Sequence, residues 1–257
     1  MARIFITGSS DGLGLMVGRY LADQGHQVAL HARNDERAAD AKRALPKAEA
    51  VVVGDVATIE AAKDVAAQVN ALGSFDGVIH NAAVGFREGH RTTSDGLPHV
   101  LAINTLAPYL LTALIERPKR LVYLSSGMHA RAHANLDDIL WRKRAWDGSS
   151  AYAESKLHDV MLAFAVARLW PNVLSNALTP GWVATKMGGA GAPDDIDQAH
   201  LTQAWLATGD ESAARTTGGY FYHLKRGEPN PEARDVALQD RLIDICRELS
   251  GVELPRT

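Results

Sequence analysis

Apolar and polar positions fall into blocks along this chain, and the blocks change period in a regular order. Short apolar runs of four to six residues lie at 3–6, 27–30, 50–53, 75–80, 120–124, 173–178 and 219–222. Their length and β-branched content predict buried strands. Between them, 15–24, 35–45, 58–72, 97–115, 149–169, 196–207 and 233–249 repeat apolar residues at helical spacing. Strands alternating with helices at this pace predict an α/β fold: a doubly wound parallel sheet of about seven strands with helices on both faces. No internal repeat and no linker rich in Pro, Gly or Ser divides the chain, so a single domain over 1–257 is expected. Two stretches, 127–148 and 188–203, break the rhythm. A long loop inside a compact domain is functional or mobile, and both are expected to line a substrate pocket.

Composition narrows the partners. The chain is 46% apolar and 22% charged, an ordinary globular balance. A net charge of -3 without a long basic run argues against nucleic acid or an anionic membrane. The single Cys246 rules out an internal disulfide and fits a reducing compartment. The N-terminal residues run straight into a strand, with no signal-peptide or spanning pattern, so a cytoplasmic protein is expected.

Chemistry begins after the first strand. Thr7-Gly-Ser-Ser-Asp-Gly-Leu-Gly14 joins strand to helix, and such a turn sets backbone N–H groups and a helix N-terminus where a pyrophosphate can sit. Gly8 permits the tight turn, Gly12 the close approach of phosphate, and Gly14 the packing of helix on strand. In dinucleotide folds an acidic residue about 20 positions on binds the ribose 2′-OH. Ala32 stands near that place, and Arg33 beside it suits a 2′-phosphate instead. This favours NADP over NAD; the competing reading is an arginine in solvent at a strand end. Asn81-Ala82-Ala83-Val84-Gly85 ends another strand in small residues, which leave room for a flat ligand. His129 and His133 lack the companions of a metal-ligand set, and no metal is expected.

Tyr152 and Lys156 stand four apart in the 149–169 run, on one helix face, with Ser149 or Ser150 as the expected cap. A free phenol has a pKa of about 10, and a neighbouring ammonium favours its phenolate. The pair can therefore serve as a general acid/base. Taken alone, it is also an ordinary pair of helix-surface residues.

Together these parts resemble the short-chain dehydrogenases/reductases over nearly the whole chain. The matching residues are the glycine turn, Asp55-Val56, Asn81-Ala82-Ala83, Asn104, Ser126, Tyr152-xxx-Lys156 and Pro180-Gly181. Ser125-Ser126-Gly-Met-His129, with its long gap before Tyr152, and Thr217-Gly-Gly-Tyr-Phe-Tyr222 look like the retinol-dehydrogenase-like branch; a likeness to anthracycline-type ketone reductases is also suspected. The resemblance implies a Rossmann fold and hydride transfer between NADP(H) and a carbonyl or alcohol. It casts Tyr152 as the proton donor or acceptor. Lys156 would hold the nicotinamide ribose and lower the phenol's pKa, and Ser126, rather than Ser125, would hydrogen-bond the substrate oxygen. Asn104 would interrupt its helix around a bound water. For the cofactor it implies Gly8, Ser10, Asp11, Gly12, Leu13 and Gly14 around the phosphates, with Arg33, Asp55 and Val56 toward the adenosine. Asn81, Ala82 and Ala83 would lie beneath the dinucleotide, with Tyr152 and Lys156 at the ribose. Pro180, Gly181, Val183 and Thr185 would stand at the carboxamide. Trp141, Trp146, Trp182, Met187 and Trp205 suggest a hydrophobic, ring-bearing substrate, and equally packing. Relatives pair through long helices, so a homodimer is compatible with the chain. A catalytically silent dinucleotide-binding sensor or partner-binding protein is the alternative. Retention of both Tyr152 and Lys156 favours the enzyme.

Overall fold

The computed structural model describes residues 1–256. Eight strands form one sheet: β1 (Arg3–Ile6), β2 (Gln27–Ala32), β3 (Ala50–Val53), β4 (Gly77–His80), β5 (Arg120–Leu124), β6 (Leu174–Thr179), β7 (Tyr220–Tyr222) and β8 (Lys225–Gly227). Their spatial order is β3-β2-β1-β4-β5-β6-β7-β8, parallel throughout except for the β7–β8 hairpin. The chain winds outward from β1 in both directions. The order therefore reverses between β1 and β4, and the loops after these strands open a crevice at their carboxyl ends.

Helices cover both faces. On one, α1 (Gly12–Asp23), α2 (Asp35–Ala44) and α7 (Leu201–Thr208) bury a core with Ile4, Ile6, Leu30, Ile79 and Phe221. On the other, α3 (Ile59–Ala71), α5 (Ala107–Leu114), α6 (Gly148–Leu169) and α8 (Val236–Ser250) pack around Phe5, Val78, Leu121 and Tyr123. Between Ala151 and Val166 only Ala153 escapes burial. The chain itself covers α5 and the end of α6: Tyr109 Oη donates to the Val252 carbonyl at 2.8 Å, and Trp170 Nε1 to that of Pro255 at 2.6 Å.

Four local departures from the expected elements have physical causes. The eighth strand is a short polar run, Lys225-Arg-Gly227, without an apolar signature. Its turn is His223-Leu224, both at positive φ, where Asn-Gly is the usual signal. The expected 97–115 helix is three pieces: α4 (His99–Leu101), a π-helical turn (Ala102–Leu106) and α5. The cap of α6 is Asp147, whose carboxylate accepts from Ser150 N at 2.7 Å, and not Ser149 or Ser150. The helix begins at Gly148, where a side chain has no room: a Cβ would lie 2.6 Å from the Glu88 carbonyl oxygen. Finally, α7 starts at Leu201 rather than 196; Asp195 Oδ1 accepts from Asp197 N at 2.9 Å in a separate turn.

Candidate functional site

The glycine turn is held by groups that side chains direct at its backbone. Thr7 Oγ1 accepts from the N–H groups of Asn81 and Ala82 at 2.9 and 3.0 Å. Asn81 Nδ2 donates to the Thr7 and Gly8 carbonyls at 3.0 and 2.9 Å. Gly8 stands at φ +59, and a Cβ on it would come 2.7 Å from Ala82 Cα. Gly14 fits closely too: its Cβ would lie 2.5 Å from both Asn81 Nδ2 and the Gly8 oxygen. Beneath the turn sits His31, which the sequence left without a role. Its Nδ1 accepts from Gly8 N at 2.9 Å, so Nε2 carries the proton and donates to the Gly54 carbonyl at 2.8 Å. Burial pushes the His31 pKa down, which keeps the ring neutral.

Around Gly12 the picture reverses. Nothing lies within 4 Å of where its Cβ would be, and Asp11 makes no side-chain cap to α1. The first N–H donors of α1 therefore face open space, an arrangement that fits the pyrophosphate of a dinucleotide. Asp11 turns aside to meet Arg37 at 2.5 Å and Lys186 at 2.8 Å. Ser10 and Leu13 flank the same opening. Arg33 is exposed just past β2 and forms no ion pair among the described residues. Asp55 accepts from Ala57 N at 3.1 Å, and Val56 is buried beside it.

Across the crevice the four expected catalytic side chains come from three segments, two of them from α6. Asn104 is fully buried at the middle of the π-helical turn. Its Oδ1 accepts from Val84 N at 2.9 Å, and its Nδ2 donates to the Val84 carbonyl and to Ser155 Oγ, both at 3.0 Å. Asn104 thus ties the strand-end segment that abuts Gly8 to the helix that carries Tyr152 and Lys156. Ser125 is buried and donates to the Lys156 carbonyl at 2.7 Å. Ser126 is partly exposed, and its Oγ accepts from Met128 N at 3.3 Å. Its position, not Ser125's, is accessible to a ligand. The Tyr152 ring meets the edge of Phe86 at 6.2 Å, and Lys156 Nζ lies 5.8 Å from the Tyr152 ring centre. Lys156 Nζ also donates to the Leu124 carbonyl at 2.7 Å and to Asp159 Oδ2 at 2.8 Å. Burial works against the Lys156 charge, yet the Asp159 carboxylate and the Tyr152 phenol hold its pKa above the ordinary value. Burial pushes Asp159 up to about 6 against the pull of Lys156. At neutral pH the two form a charged pair.

Comparison with known proteins shows the family. The family model described as enoyl-(acyl carrier protein) reductase matches residues 8–216. The uncharacterized oxidoreductase AN7799 of Emericella nidulans is 45% identical over 260 residues, spanning 99% of each chain. The chain belongs to the short-chain dehydrogenase/reductase family. Both suspected likenesses within it are borne out. Retinol dehydrogenase 13 of Homo sapiens is 28% identical, covering 98% of this chain and 85% of its own. DnrU of Streptomyces sp., named for daunorubicin C-13 ketoreduction, is 26% identical, covering 96% and 92%. Among solved structures, an uncharacterized protein from Mycobacterium paratuberculosis superposes with a TM-score of 0.82 at 25% identity, covering 99% of this chain and 95% of that one. A short-chain dehydrogenase from Burkholderia cenocepacia, solved with NADP, gives 0.69 at 23% identity over 86% and 95%.

As a short-chain dehydrogenase/reductase the protein is an oxidoreductase of a small molecule. Among the described residues no helix is long and apolar enough to cross a membrane. The family's loop after β6 is bent by Gly181 at φ +87, where a Cβ would lie 2.6 Å from Asp194 Oδ2. Val183 is buried, and its carbonyl accepts from Thr185 N at 2.8 Å; Thr185 Oγ1 accepts from Gly188 N at 3.1 Å. Met187 then lies on Gly85, 2.7 Å from where a Cβ would stand. Gly85, Phe86 and Met187 thus form an apolar wall next to Tyr152, and no spacing in the chain pointed to Phe86.

The tryptophans do not behave as one set. Trp205 is partly buried, packs edge-on against Phe221 at the edge of the core and donates to Glu211 Oε1 at 2.6 Å. Trp141 and Trp146 meet each other at 5.2 Å over Val100 and Ala151. Trp182 is 55% exposed and donates to the Gly188 carbonyl at 2.9 Å. A cavity of about 960 Å³ follows the 127–148 segment, with Gly127 and Met128 next to Ser126, and with Arg131, Trp141, Arg144 and Glu154. His129 bonds the Ser126 carbonyl and Asn230, and His133 pairs with Glu232.

Proposed function

We propose that this protein is an NADP(H)-dependent carbonyl reductase or alcohol dehydrogenase with Tyr152 as its general acid/base. The observation that carries the reading is the tie made by Asn104. One amide joins Val84, next to the strand end that supports the glycine turn, to Ser155, between Tyr152 and Lys156. The dinucleotide crevice and the proton donor are thereby held in fixed relation, as a reaction between them requires.

A bound reduced nicotinamide supplies the hydride to the carbonyl carbon. Tyr152 gives its proton to the carbonyl oxygen, and Ser126 donates a hydrogen bond to that oxygen as negative charge develops. Lys156, with two donors committed to Leu124 and Asp159, keeps a third for the ribose hydroxyls. The start of α1 would receive the pyrophosphate. Asn81, Ala82 and Ala83 would support the dinucleotide from below, with Asp55 and Val56 at the adenine side. Pro180, Gly181, Val183 and Thr185 would hold the carboxamide. Arg33, exposed and unpaired beside Ala32, would meet a 2′-phosphate, and that supports NADP over NAD. The apolar wall of Phe86 and Met187 beside Tyr152 supports a hydrophobic substrate. The single, buried Cys246 fits a cytoplasmic setting.

The test incubates the purified protein with NADPH or NADH and a panel of aromatic aldehydes, ketones and quinones, beside Tyr152→Phe. Turnover with NADPH that Tyr152→Phe loses is expected. Tight NADPH binding without turnover of any substrate would instead make the protein a silent dinucleotide binder.

A further inference from the structure

The proposed reaction leaves unused a buried charge that touches its own Lys156. Asp159 is 2% exposed, one helical turn beyond Lys156, and its Oδ2 lies 2.8 Å from the Lys156 ammonium. Lys156 is 3% exposed. A carboxylate is costly to bury unless its charge answers a specific partner. Here the partner is the cation that acts on Tyr152.

Few other charges reach the pair. On α6 itself the neighbour is Tyr152, while Glu154 is paired with Arg144, and His158, bonded to the Ala134 carbonyl, is pushed down by burial. From β5, Tyr123 faces Asp159, but its hydroxyl is engaged by Thr112 at 2.7 Å. His80, at the end of β4, stacks on Tyr123 at 4.7 Å and is pushed down to about 3 by burial, so it carries no charge. The π-helical turn and β6 hold no titratable side chain. In the Gly127–Arg131 turn, His129 is bound to Ser126 and Asn230. The Pro231–Arg234 turn and α8 meet α6 farther along, through Arg234 over Phe164 and Asp240 on Arg168. Among the described residues Asp159 is therefore the one carboxylate that balances Lys156.

A lone ammonium beside a phenol favours the phenolate; an ammonium paired with a carboxylate does so much less. We propose that Asp159 is a positioning residue which, by neutralising Lys156, keeps Tyr152 in its proton-donating form and so favours carbonyl reduction over alcohol oxidation at neutral pH. The inference rests on the Tyr152 reading above. It also assigns Asp159 the aim of the Lys156 side chain, because Leu124 and Asp159 together fix two of the three ammonium donors.

The test compares wild type, Asp159→Asn and Asp159→Glu. In Asp159→Asn the pH of half-maximal alcohol oxidation should fall by about one unit, raising oxidation about tenfold at a fixed pH below it. Asp159→Glu, which keeps the charge, should return the profile toward wild type. A second reading needs no cofactor: ultraviolet titration of tyrosinate, taken as the difference from the matching Tyr152→Phe protein, should show the same downward step. A folded Asp159→Asn whose profile and tyrosinate step stay at the wild-type pH overturns the proposal. If Asp159→Asn does not fold, carboxyl-carbon NMR of the wild type decides. An Asp159 ionised at neutral pH and titrating together with Lys156 Nζ supports it, and a carboxyl already protonated there overturns it. Wild type inactive on every substrate would remove the proposed reaction, while the tyrosinate titration would still report on Asp159.

Discussion

The two sides of the crevice are built differently. On the glycine-turn side, buried side chains grip backbone: Thr7 and Asn81 bind the turn to β4, and His31 binds it to the end of β3. Facing it, the segments after β4, β5 and β6 touch through side chains and exposed pairs: Met187 on Gly85, His90 stacked on Trp146 at 4.8 Å, Lys186 on Asp11. Buried hydrogen bonds to backbone admit little motion and are costly to leave unmade. Exposed ion pairs are screened and contribute little. The first side is suited to one invariant ligand, the second to a substrate surface that can be remodelled without disturbing the sheet.

Substitutions that attack each side should separate the two by size. Gly8→Ala should have the largest effect, because it combines a positive φ with a Cβ 2.7 Å from Ala82 backbone. The strain is about 1–3 kcal/mol before the clash is relieved, so NADPH affinity measured by calorimetry should drop by at least about tenfold. Asn104→Ala comes next. It strips the Val84 N–H and C=O of their partner, at about 1–3 kcal/mol for each buried group. Thermal unfolding should show it as a Tm lowered by roughly 2–4 °C per kcal/mol. An unchanged Tm would mean that the Asn104 tie is dispensable. Arg33→Ala should raise KM for NADPH about tenfold, the worth of a charge-assisted contact of about 1.5–3 kcal/mol, and leave KM for NADH alone. Equal effects on the two cofactors would remove Arg33 from the 2′-phosphate. Lys186→Ala should be the mildest, since its partner Asp11 is 44% and Lys186 itself 85% exposed. A change below about threefold in NADPH affinity, fading with added salt, is expected; a large, salt-insensitive loss would make the far side as rigid as the near one.

This division also explains what was legible in the sequence. Strands such as β1 and β5 showed as apolar runs because burial on both faces demands them. The glycine turn, Asn104, Ser126, Tyr152 and Lys156 showed because backbone geometry or chemistry narrows the residue type at each. His31 and Asp159 did not, since a histidine in a strand and an aspartate in a helix have no spacing of their own. The i, i+3 relation of Asp159 to Lys156 was the only available sign. Phe86 and the hairpin strand β8 were hidden for a related reason: contacts between loops depend on the folded path and leave no period in the chain. The same blindness applied to Trp205, where aromatic content pointed to a pocket and the side chain went to the edge of the core.

The most direct measurement of the central claim is a reduction with NADPH deuterated at C4, using a ketone from the substrate panel, with wild type and Tyr152→Phe compared by mass spectrometry of the product. The account predicts deuterium on the carbinol carbon from wild type and product formation at least about a hundredfold slower from Tyr152→Phe, the scale of a lost general acid. A Tyr152→Phe protein that forms the deuterated alcohol at the wild-type rate would contradict it.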